Sequence, residues 1–311
     1  MKILVTGGAG FIGSNVVDAF IDAGHQVVVV DNLSSGNRAN VNPRAKLHEV
    51  DIRSTRLLEV MERERPEIVD HHAAHIDVRH SVADPLHDAS VNIEGSINLL
   101  EACRKTGVRK VVYASTGGAE YGEPEYLPCD ENHPIKPLSP YGASKHTVEH
   151  YLFMYRANFG LSYTILRYPN VYGPRQDPYG EAGVIAIFME RMLKGDDTII
   201  FGSGEQERDF IYVGDCVSAN LLALEAGDGR EYNLGWGIGT TVNEVWRRLK
   251  ETTGYQPGVV YGPAKTGETF RIYLDTARIR SELGWSPKVP LEEGLTRTVD
   301  YFRGRAGGAP V

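Results

Sequence analysis

The stretch that decides the fold is Lys2-Ile-Leu-Val-Thr-Gly-Gly-Ala-Gly-Phe-Ile-Gly13. Its apolar residues 3–5 predict a buried strand, and the glycines that follow predict a tight turn. Residues 11–23 are amphipathic and predict a helix, and the apolar residues 27–30 predict a second strand that ends at Asp31. The chain therefore begins with a predicted strand–turn–helix–strand unit.

The glycines of this turn have the spacing of a dinucleotide-binding loop. Gly8, Gly10 and Gly13 match G-x-G-x-x-G, and Gly7, Gly10 and Gly13 match the looser G-x-x-G-x-x-G. Such glycines let the chain turn, let a diphosphate approach the backbone, and let the helix pack closely on the strand. The start of the helix faces the phosphates with free N–H groups and a positive dipole end. We expect the cofactor to contact Gly7, Gly10, Phe11, Ile12 and Gly13.

The acid at the end of the second strand indicates which dinucleotide is bound. Asp31 follows Gly13 by 18 residues, the distance at which a carboxylate accepts hydrogen bonds from both ribose hydroxyls and repels a 2′-phosphate. NAD is therefore favoured over NADP, and the neighbouring Asn32 is expected over the adenosine ribose. A third predicted strand leads to Asp51 and Ile52, which either contact the adenine edge or begin the next helix.

The composition argues against several classes of function. The chain has 311 residues, of which 41% are hydrophobic and 24% charged, so it can form one large domain or two modest ones. Its net charge of −8 argues against a nucleic-acid partner. Its three cysteines lie far apart, no apolar run approaches a membrane span, and Met1 leads directly into the first strand. We therefore expect a cytoplasmic protein without disulfides, signal peptide or membrane segment.

The pattern of elements indicates an α/β fold. Strands and helices alternate as far as Tyr168, which predicts a mostly parallel sheet covered on both faces. Ligands of such sheets bind at the carboxyl ends of the strands, and Ser115 and Thr116 follow the predicted strand 108–114 at that edge. Beyond Pro169 the chain is rich in Pro, Gly and aromatic residues, which indicates a smaller domain over the sheet edge.

Five histidines fall within one region, His71, His72, His75, His80 and His87. Their spacing is poor for a metal site, because His71 and His72 point to opposite faces of a strand and no Cys or Glu completes a ligand set. No metal is therefore expected. We interpret the region as a strand end and loop that flank the cofactor through Ala73, Ala74 and His75.

A tyrosine and a lysine supply the predicted chemistry. Tyr141-Gly-Ala-Ser-Lys145 places a phenol and an ammonium four residues apart on a predicted helix, so both share one face. The cation, together with the positive nicotinamide ring, is expected to lower the pKa of the phenol from about 10 and make Tyr141 a usable base. Lys145 can also hold the nicotinamide ribose. A second Tyr-x-x-x-Lys, Tyr261 to Lys265, contains Pro263, which breaks helical spacing.

Five segments in combination carry a family resemblance: residues 6–13, Asp31-Asn32, Ser115-Thr116, Tyr141-x-x-x-Lys145 and Leu166-Arg-Tyr-Pro-Asn-Val-Tyr-Gly-Pro174. The chain resembles the extended short-chain dehydrogenase/reductase family and, within it, is most similar to the UDP-glucose 4-epimerases. The resemblance implies a Rossmann-like doubly wound parallel sheet with a smaller C-terminal α/β substrate-binding domain. The NAD-binding domain is expected at residues 1–168 and the substrate-binding domain at 169–311, with a segment near 209–235 returning to the first.

The resemblance also implies NAD-dependent interconversion of UDP-glucose and UDP-galactose through a 4-keto sugar. Tyr141 would accept the proton of the sugar 4-hydroxyl, Thr116 would bridge the phenol and the sugar O4, and Lys145 would assist the phenol and hold the ribose. Further cofactor contacts are implied for Asn92, Ser115 and Tyr168.

Substrate contacts are implied in the second half of the chain. Asn170 and Arg208 are expected at the UDP diphosphate and Phe201 at the uracil. Positive charge there suits a diphosphate in a chain that is otherwise negative. The alternative for Arg208 is an ion pair with Glu205 or Asp209.

Two segments depart from the family pattern. Lys265-Thr-Gly-Glu268 stands where family members usually show Arg-Pro-Gly-Asp, so Lys265 keeps the charge of a diphosphate contact without its bidentate geometry. Related dehydratases and decarboxylases carry acidic residues where this chain has Gly117 and Gly118. That difference argues against dehydration and decarboxylation, although Glu120 lies nearby and keeps the question open.

Other functions and the oligomeric state are less determined. The alternatives are 4-epimerisation of a UDP-N-acetylhexosamine or UDP-uronate, a related dehydratase or decarboxylase, and a non-catalytic NAD-binding sensor. The family resemblance implies a homodimer through the helices that carry Asn92 and Tyr141. The apolar Leu152, Phe153 and Tyr155 are compatible with that interface and equally with packing inside the chain.

Overall fold

The first elements of the fold follow the sequence pattern. The computed structural model describes residues 1–179, 183–264 and 269–306. Strand β1 (Lys2–Thr6) leads through the glycine turn to helix α1 (Phe11–Asp22) and then to strand β2 (Gln26–Asp31).

The remaining strands are β3 (Lys46–Glu49), β4 (Ile68–His71), β5 (Lys110–Thr116), β6 (Ser162–Tyr168), β7 (Asn170–Tyr172), β8 (Thr198–Phe201), β9 (Glu207–Arg208), β10 (Phe210–Tyr212), β11 (Arg230–Asn233), β12 (Thr240–Thr241), β13 (Val259–Gly262) and β14 (Arg271–Ile272). The remaining helices are α2 (Arg56–Glu64), α3 (Val78–Ala83), α4 (Pro85–Ala89), α5 (Gly95–Thr106), α6 (Pro140–Phe159), α7 (Val184–Lys194), α8 (Val213–Ala223), α9 (Val242–Thr253), α10 (Ala277–Leu283) and α11 (Leu291–Ala306). A π-helical turn, Ser90–Glu94, joins α4 to α5.

The main sheet is parallel and doubly wound. Among the described residues, seven strands form it in the order β11-β6-β5-β4-β1-β2-β3. The chain runs outward from β1 through β2 to β3, and then crosses to β4 and continues on the other side. The strand order reverses between β1 and β4, where Thr6 pairs with His71. Open α/β sheets bind their ligands at this switch point.

Helices cover both faces of the main sheet because the buried strands are apolar on both sides. Phe20 of α1 shares one apolar cluster with Val5 of β1, and helices α8 and α10 complete that face. Met61 of α2 and Leu152 of α6 share a second cluster with Leu4, and α5 completes this opposite face. The alternation of Leu4 and Val5 along β1 therefore anchors two separate layers of helices.

A smaller set of elements follows β6. Strand β7 pairs with β10, β9 pairs with β12 and β14, and β8 pairs with β13. Helices α7, α9 and α11 enclose their own apolar cluster, which contains Phe188, Val245 and Val299. Strand β11 and helix α8 belong to the main sheet and its covering layer, so the chain crosses between the two sets of elements. The domain division at residues 168 and 169 stays a prediction.

The helices set one limit on the membrane question. No helix in the described part of the chain is long and apolar enough to cross a membrane.

Candidate active site

The glycine loop has the shape of a cradle for a diphosphate. Gly7 has φ +69°, and a Cβ there would lie 2.7 Å from the backbone nitrogen of Ala73. A Cβ on Gly13 would lie 2.3 Å from the carbonyl oxygen of Gly7, so only glycine allows the start of α1 to approach the end of β1. Gly10 is the N-cap of α1 and offers no side chain, which leaves the N–H groups of the first turn to a ligand.

Asp31 is fixed at the end of β2. Its carboxylate accepts hydrogen bonds from the N–H groups of Ala9, at 3.0 Å, and Leu33, at 2.8 Å. Asn32 donates to the carboxylate of Asp51 at 2.9 Å, and Arg53 pairs with the same carboxylate and lowers its pKa. The adenosine side of the predicted site is therefore built from groups that hold one another in place.

A cavity of about 1220 Å³ opens at the switch point of the sheet. This volume exceeds the roughly 300–1,000 Å³ of a typical drug-sized site and suits a dinucleotide. The predicted cofactor residues that line it are Gly7, Gly10, Phe11, Ile12, Gly13, Asp31, Asn32, Asp51, Ile52, Ala73, Ala74, His75, Ser115, Tyr141, Lys145 and Tyr168. The cradle and Asp31 therefore fit NAD by shape and by charge.

Asn92 is buried and is not among the residues that line this cavity, and its expected contact with the cofactor stays a prediction. Its amide accepts from the N–H of His75 at 2.7 Å and donates to the carbonyl of His75 at 3.0 Å. It also lies 3.0 Å from the carboxylate of Asp88 and 3.0 Å from the hydroxyl of Ser144. These contacts bury the side chain and give Asn92 the role of holding the loop that lines the cavity.

The start of α6 positions Tyr141. Ser139 caps the helix by accepting from the N–H of Gly142 at 3.2 Å. A Cβ on Gly142 would lie 2.3 Å from the carbonyl oxygen of Ala119, so the glycine lets the helix approach the loop after β5. The N–H of Tyr141 donates to the hydroxyl of Ser81, at 3.2 Å, on α3.

Tyr141, Thr116 and Lys145 meet at the carboxyl edge of the sheet. Thr116, at the end of β5, lies close enough to the phenol of Tyr141 to influence its pKa. Lys145 lies one turn further along α6, and its ammonium lies 4.3 Å from the centre of the Tyr113 ring. Tyr141 and Lys145 both line the cavity that Gly10 and Asp31 line at the other end. The structure thus brings together the predicted catalytic residues and the predicted cofactor loop.

Burial controls the protonation of these groups. Desolvation raises the pKa of Tyr141 to about 12, and the nearby hydroxyl of Thr116 acts in the opposite direction. Desolvation also lowers the pKa of Lys145 to about 7, against the attraction of Glu149 and Asp88. In the chain without cofactor, burial therefore raises the pKa of the phenol. The lowering expected from Lys145 and the nicotinamide ring together stays a prediction.

A buried ionic network lies beside the site. The guanidinium of Arg167 lies 2.6 Å from the carboxylate of Glu149 and 2.6 Å from that of Glu120. Ser115 donates to Glu149 at 2.6 Å. Glu120 is fully buried, and desolvation together with the charge of Glu149 raises its pKa well above 4.5. Glu120 is therefore a member of this network and not the exposed acid that dehydration would need.

Two of the five clustered histidines, His71 and His72, make contacts at the end of β4. The ring of His71 lies 2.7 Å from the hydroxyl of Thr6 and 2.9 Å from that of Ser96, and burial lowers its pKa well below 6.5. His72 lies 2.9 Å from the carboxylate of Asp70. His71 therefore links β4 to β1 and α5, whereas His72 contacts an acid of the strand that it follows.

The predicted substrate residues lie on the smaller sheets. The N–H of Asn170 donates to the carbonyl of Asp209 at 3.0 Å, which places Asn170 beside Arg208. Arg208 donates to the carbonyls of Glu207, at 2.9 Å, and Phe270, at 3.3 Å.

Other contacts bear on the alternative for Arg208 and on its neighbours. Three backbone N–H groups donate to the carboxylate of Asp209, and Asn243 donates to Glu205 at 2.6 Å. Phe201 is 38% exposed at the end of β8. Lys265 and Glu268 lie outside the described residues.

Sequence reasoning missed several residues of this site. Ser81 supports the backbone of Tyr141, and the buried Asp88 lies close enough to influence the pKa of Tyr141. Arg175 lines the cavity with φ +71° and pairs with Asp18 at 2.7 Å. Its position directly after the quoted motif at 166–174 was a usable signal, whereas Ser81 and Asp88 carry no motif.

The comparisons with known proteins agree with this geometry. The profile of the NAD dependent epimerase/dehydratase family matches residues 3–235. A UDP-glucose 4-epimerase of Mycolicibacterium smegmatis is 43% identical over 98% of this chain and 100% of its own length.

Two solved structures are similar in sequence and in fold. A UDP-glucose 4-epimerase of Thermotoga maritima, solved with UDP-glucose, has a TM-score of 0.97 and 52% identity, and the match covers 98% of this chain and 100% of that one. A UDP-glucose 4-epimerase of Thermus thermophilus, in complex with NAD, has a TM-score of 0.94 and 46% identity, with 98% and 99% covered. The chain belongs to the NAD dependent epimerase/dehydratase family.

Proposed function

We propose that the protein is an NAD-dependent UDP-glucose 4-epimerase, which interconverts UDP-glucose and UDP-galactose. The observation that carries the proposal is that Tyr141 and Lys145 line one cavity together with the glycine loop and Asp31, with Thr116 near the phenol of Tyr141. Relatives that bear this name match over nearly the whole chain, one solved with UDP-glucose and one with NAD.

The chain's own residues define the proton path. Tyr141 accepts the proton of the sugar 4-hydroxyl, and Thr116 passes it between the sugar O4 and the phenol. Bound NAD supplies the redox chemistry, taking the hydride from C4 and returning it to the other face of the 4-keto sugar. Because Tyr141 returns the proton to O4 in the second half of the reaction, the phenol ends each cycle in its starting protonation state and no net proton is released.

The walls of the site suit a nucleotide sugar. A Cβ on Gly118 would lie 3.8 Å from the amide oxygen of Asn170 and 4.0 Å from the hydroxyl of Thr116, so the glycine leaves room between these two groups. In this proposal Asn170 and Arg208 hold the diphosphate, and Phe201 contacts the uracil. Thr116 then faces the sugar end of the substrate.

The competing functions differ in what they require. Dehydration or decarboxylation needs an additional acid at the sugar, whereas Gly118 occupies that position and Glu120 is bound to Arg167. A sensor would need neither Tyr141 nor Lys145, and both line the cavity. An epimerase for a UDP-N-acetylhexosamine or a UDP-uronate shares the same catalytic groups, so only the choice of sugar separates it from the proposed function.

The proposal is tested by incubating the purified protein with UDP-galactose, UDP-N-acetylgalactosamine and UDP-galacturonate in separate reactions. We expect UDP-glucose from the first, in an equilibrium mixture, with no increase in NADH absorbance. Faster turnover of either of the other sugars would assign a different substrate. A 4-keto or decarboxylated product would assign a different reaction.

We also propose a homodimer through α5 and α6. Leu152 and Tyr155 pack inside the chain, whereas Phe153 is 65% exposed and Met154 39% exposed on α6. Exposed apolar side chains next to each other favour contact with a second surface. A second copy of this chain is the partner that the family resemblance implies.

A further inference from the structure

Three histidines that lie apart in the sequence come together at the rim of the cavity. His75 follows β4, His80 lies on α3, and His87 lies on α4. The ring centres of His75 and His80 are 4.9 Å apart, those of His75 and His87 are 5.2 Å apart, and those of His80 and His87 are 5.6 Å apart. We call this set the histidine triangle. The proposed reaction uses none of its rings.

The dimensions of the triangle are those of a three-histidine metal site. A zinc–nitrogen bond is about 2.0–2.1 Å long, and a ring centre lies about 1.1 Å beyond the nitrogen, so roughly tetrahedral ligands place the ring centres about 5 Å apart. The rings are inclined at 59°, 85° and 87° to one another. Inclined rings are required when imidazoles approach one ion from different directions.

The ring of one histidine of the triangle is paired with an aspartate, and two other aspartates hold the backbone of the helices. Asp77 accepts from the backbone N–H of His80 at 2.8 Å, and Asp84 accepts from the backbone N–H of His87 at 3.0 Å, each as the N-cap of its helix. Asp88, 1% exposed, lies 3.4 Å from Nδ1 of His75.

The carboxylate of Asp88, behind the ring of His75, favours a cation at this histidine. The pairing with Asp88 engages Nδ1 of His75 and leaves Nε2 as the ligand atom. A carboxylate behind a ligating imidazole is the usual way in which proteins orient metal-bound histidines.

A second candidate group is less suited to a metal. Glu120, His146 and Glu149 are the group, within the described ranges, whose ligand atoms already lie within 4.8 Å of one another. The guanidinium of Arg167 lies 2.6 Å from both carboxylates and supplies the positive charge there. In the histidine triangle the nitrogens converge only after the rings turn, and the exposed side chain of His80 is free of the packing that would prevent this.

We propose that His75, His80 and His87 bind one divalent transition-metal ion of the zinc class, with the fourth position open to water. Neutral imidazole suits zinc, copper and nickel. The ion joins the loop after β4 to α3 and α4. Because Ser81 of α3 accepts from the N–H of Tyr141, the ion also steadies the start of the catalytic helix. Sequence spacing predicts no metal here, whereas the fold brings the three ring centres within 5.6 Å of one another.

The test uses the full-length holoenzyme and Co²⁺ as a spectroscopic probe for the zinc class. We expect one Co²⁺ per chain with the visible absorption of a tetrahedral nitrogen site, displaced by Zn²⁺, and a higher melting temperature in Zn²⁺. His80→Ala and His87→Ala should each remove the cobalt spectrum and the thermal shift. Both variants should melt without metal within a few degrees of wild type, because His80 is exposed and neither variant opens the core.

The matched control is His150→Ala. His150 is exposed and its ring packs on that of His146 at 4.6 Å, so it represents a histidine pair outside the triangle. This variant should bind Co²⁺ as wild type does. The proposal is overturned if wild type shows no tetrahedral spectrum, if His80→Ala keeps it, or if His150→Ala loses it.

Discussion

Replacing Lys145 by methionine should stabilise the cofactor-free protein while removing a group that the reaction needs. The ammonium is buried, and its pKa falls from 10.5 to about 7. The difference corresponds to about 5 kcal/mol at about 1.36 kcal/mol per pH unit. Relaxation of the surrounding protein makes this an upper value. Methionine keeps the length of the chain and has no charge to bury, so the variant avoids the cost.

The stability difference between wild type and Lys145→Met should depend on pH. Between about pH 7 and 10.5 the unfolded lysine binds a proton and the folded one does not, so wild-type stability rises with pH by up to about 1.4 kcal/mol per unit from this group. The methionine variant lacks this slope. The advantage of the variant is therefore full below pH 7, shrinks as the pH rises, and vanishes above 10.5.

Urea unfolding of both proteins at pH 7.5, 8.5 and 9.5 measures the difference in slope. The matched control is Lys105→Met, because Lys105 is exposed on α5 and its substitution removes no buried charge. That substitution should leave both the stability and its pH slope close to those of wild type. Equal slopes for wild type and Lys145→Met, or a less stable Lys145→Met at pH 7.5, would refute the reasoning.

Three further substitutions follow from the packing and the charges. Gly13→Ala places a Cβ 2.3 Å from the oxygen of Gly7, so it should lower stability by about 1–3 kcal/mol and weaken NAD retention. In the control Gly304→Ala the new Cβ meets no atom within 4 Å, so neither property should change. Thermal melting and cofactor-content measurements of both variants check this. Glu120→Gln should raise stability at pH 7.5 but not at pH 4. Because burial raises the pKa of this carboxyl in the folded protein, the group costs stability only above about pH 4.5, where the unfolded carboxyl ionises. Urea unfolding at pH 4 and pH 7.5 measures the difference. If the proposed dimer forms through α6, Phe153→Arg should make the protein monomeric in light scattering without loss of fold.

For each of these three substitutions, one result would contradict the prediction. Gly13→Ala with normal NAD content would mean that the approach of α1 to β1 is not needed. A Glu120→Gln protein with the same stability difference at both pH values would show that the carboxyl does not titrate as its burial implies. A Phe153→Arg protein that remains dimeric would place the interface elsewhere.

The local pattern was sufficient to predict the frame of the molecule. Residues 2–31 carry apolar periodicity and glycine spacing in one continuous stretch, and β1, α1 and β2 form within a residue or two of the expected bounds. The cradle around Gly7 and the position of Asp31 follow from the same stretch. The catalytic helix was predictable because Tyr141 and Lys145 are separated by one helical turn.

Features that depend on distant contacts were not readable from the sequence. Asn92 was expected at the cofactor, but its contacts with His75 and Ser144 become visible only when α6 packs on the helices before it. The pKa of Tyr141 was expected to fall, but the depth of burial of two neighbouring groups is a property of the whole fold. The histidine triangle likewise arises from three separate elements.

The central claim is that the phenol of Tyr141 takes and returns the proton at the sugar O4. Steady-state turnover of UDP-galactose by wild type and Tyr141→Phe, each with its bound NAD measured, tests it directly. We predict a kcat at least about 100-fold lower for the variant with unchanged NAD content, since a positioned acid–base group contributes about 10²–10⁴-fold. A Tyr141→Phe enzyme that keeps both its NAD and a kcat within a few-fold of wild type would contradict the account.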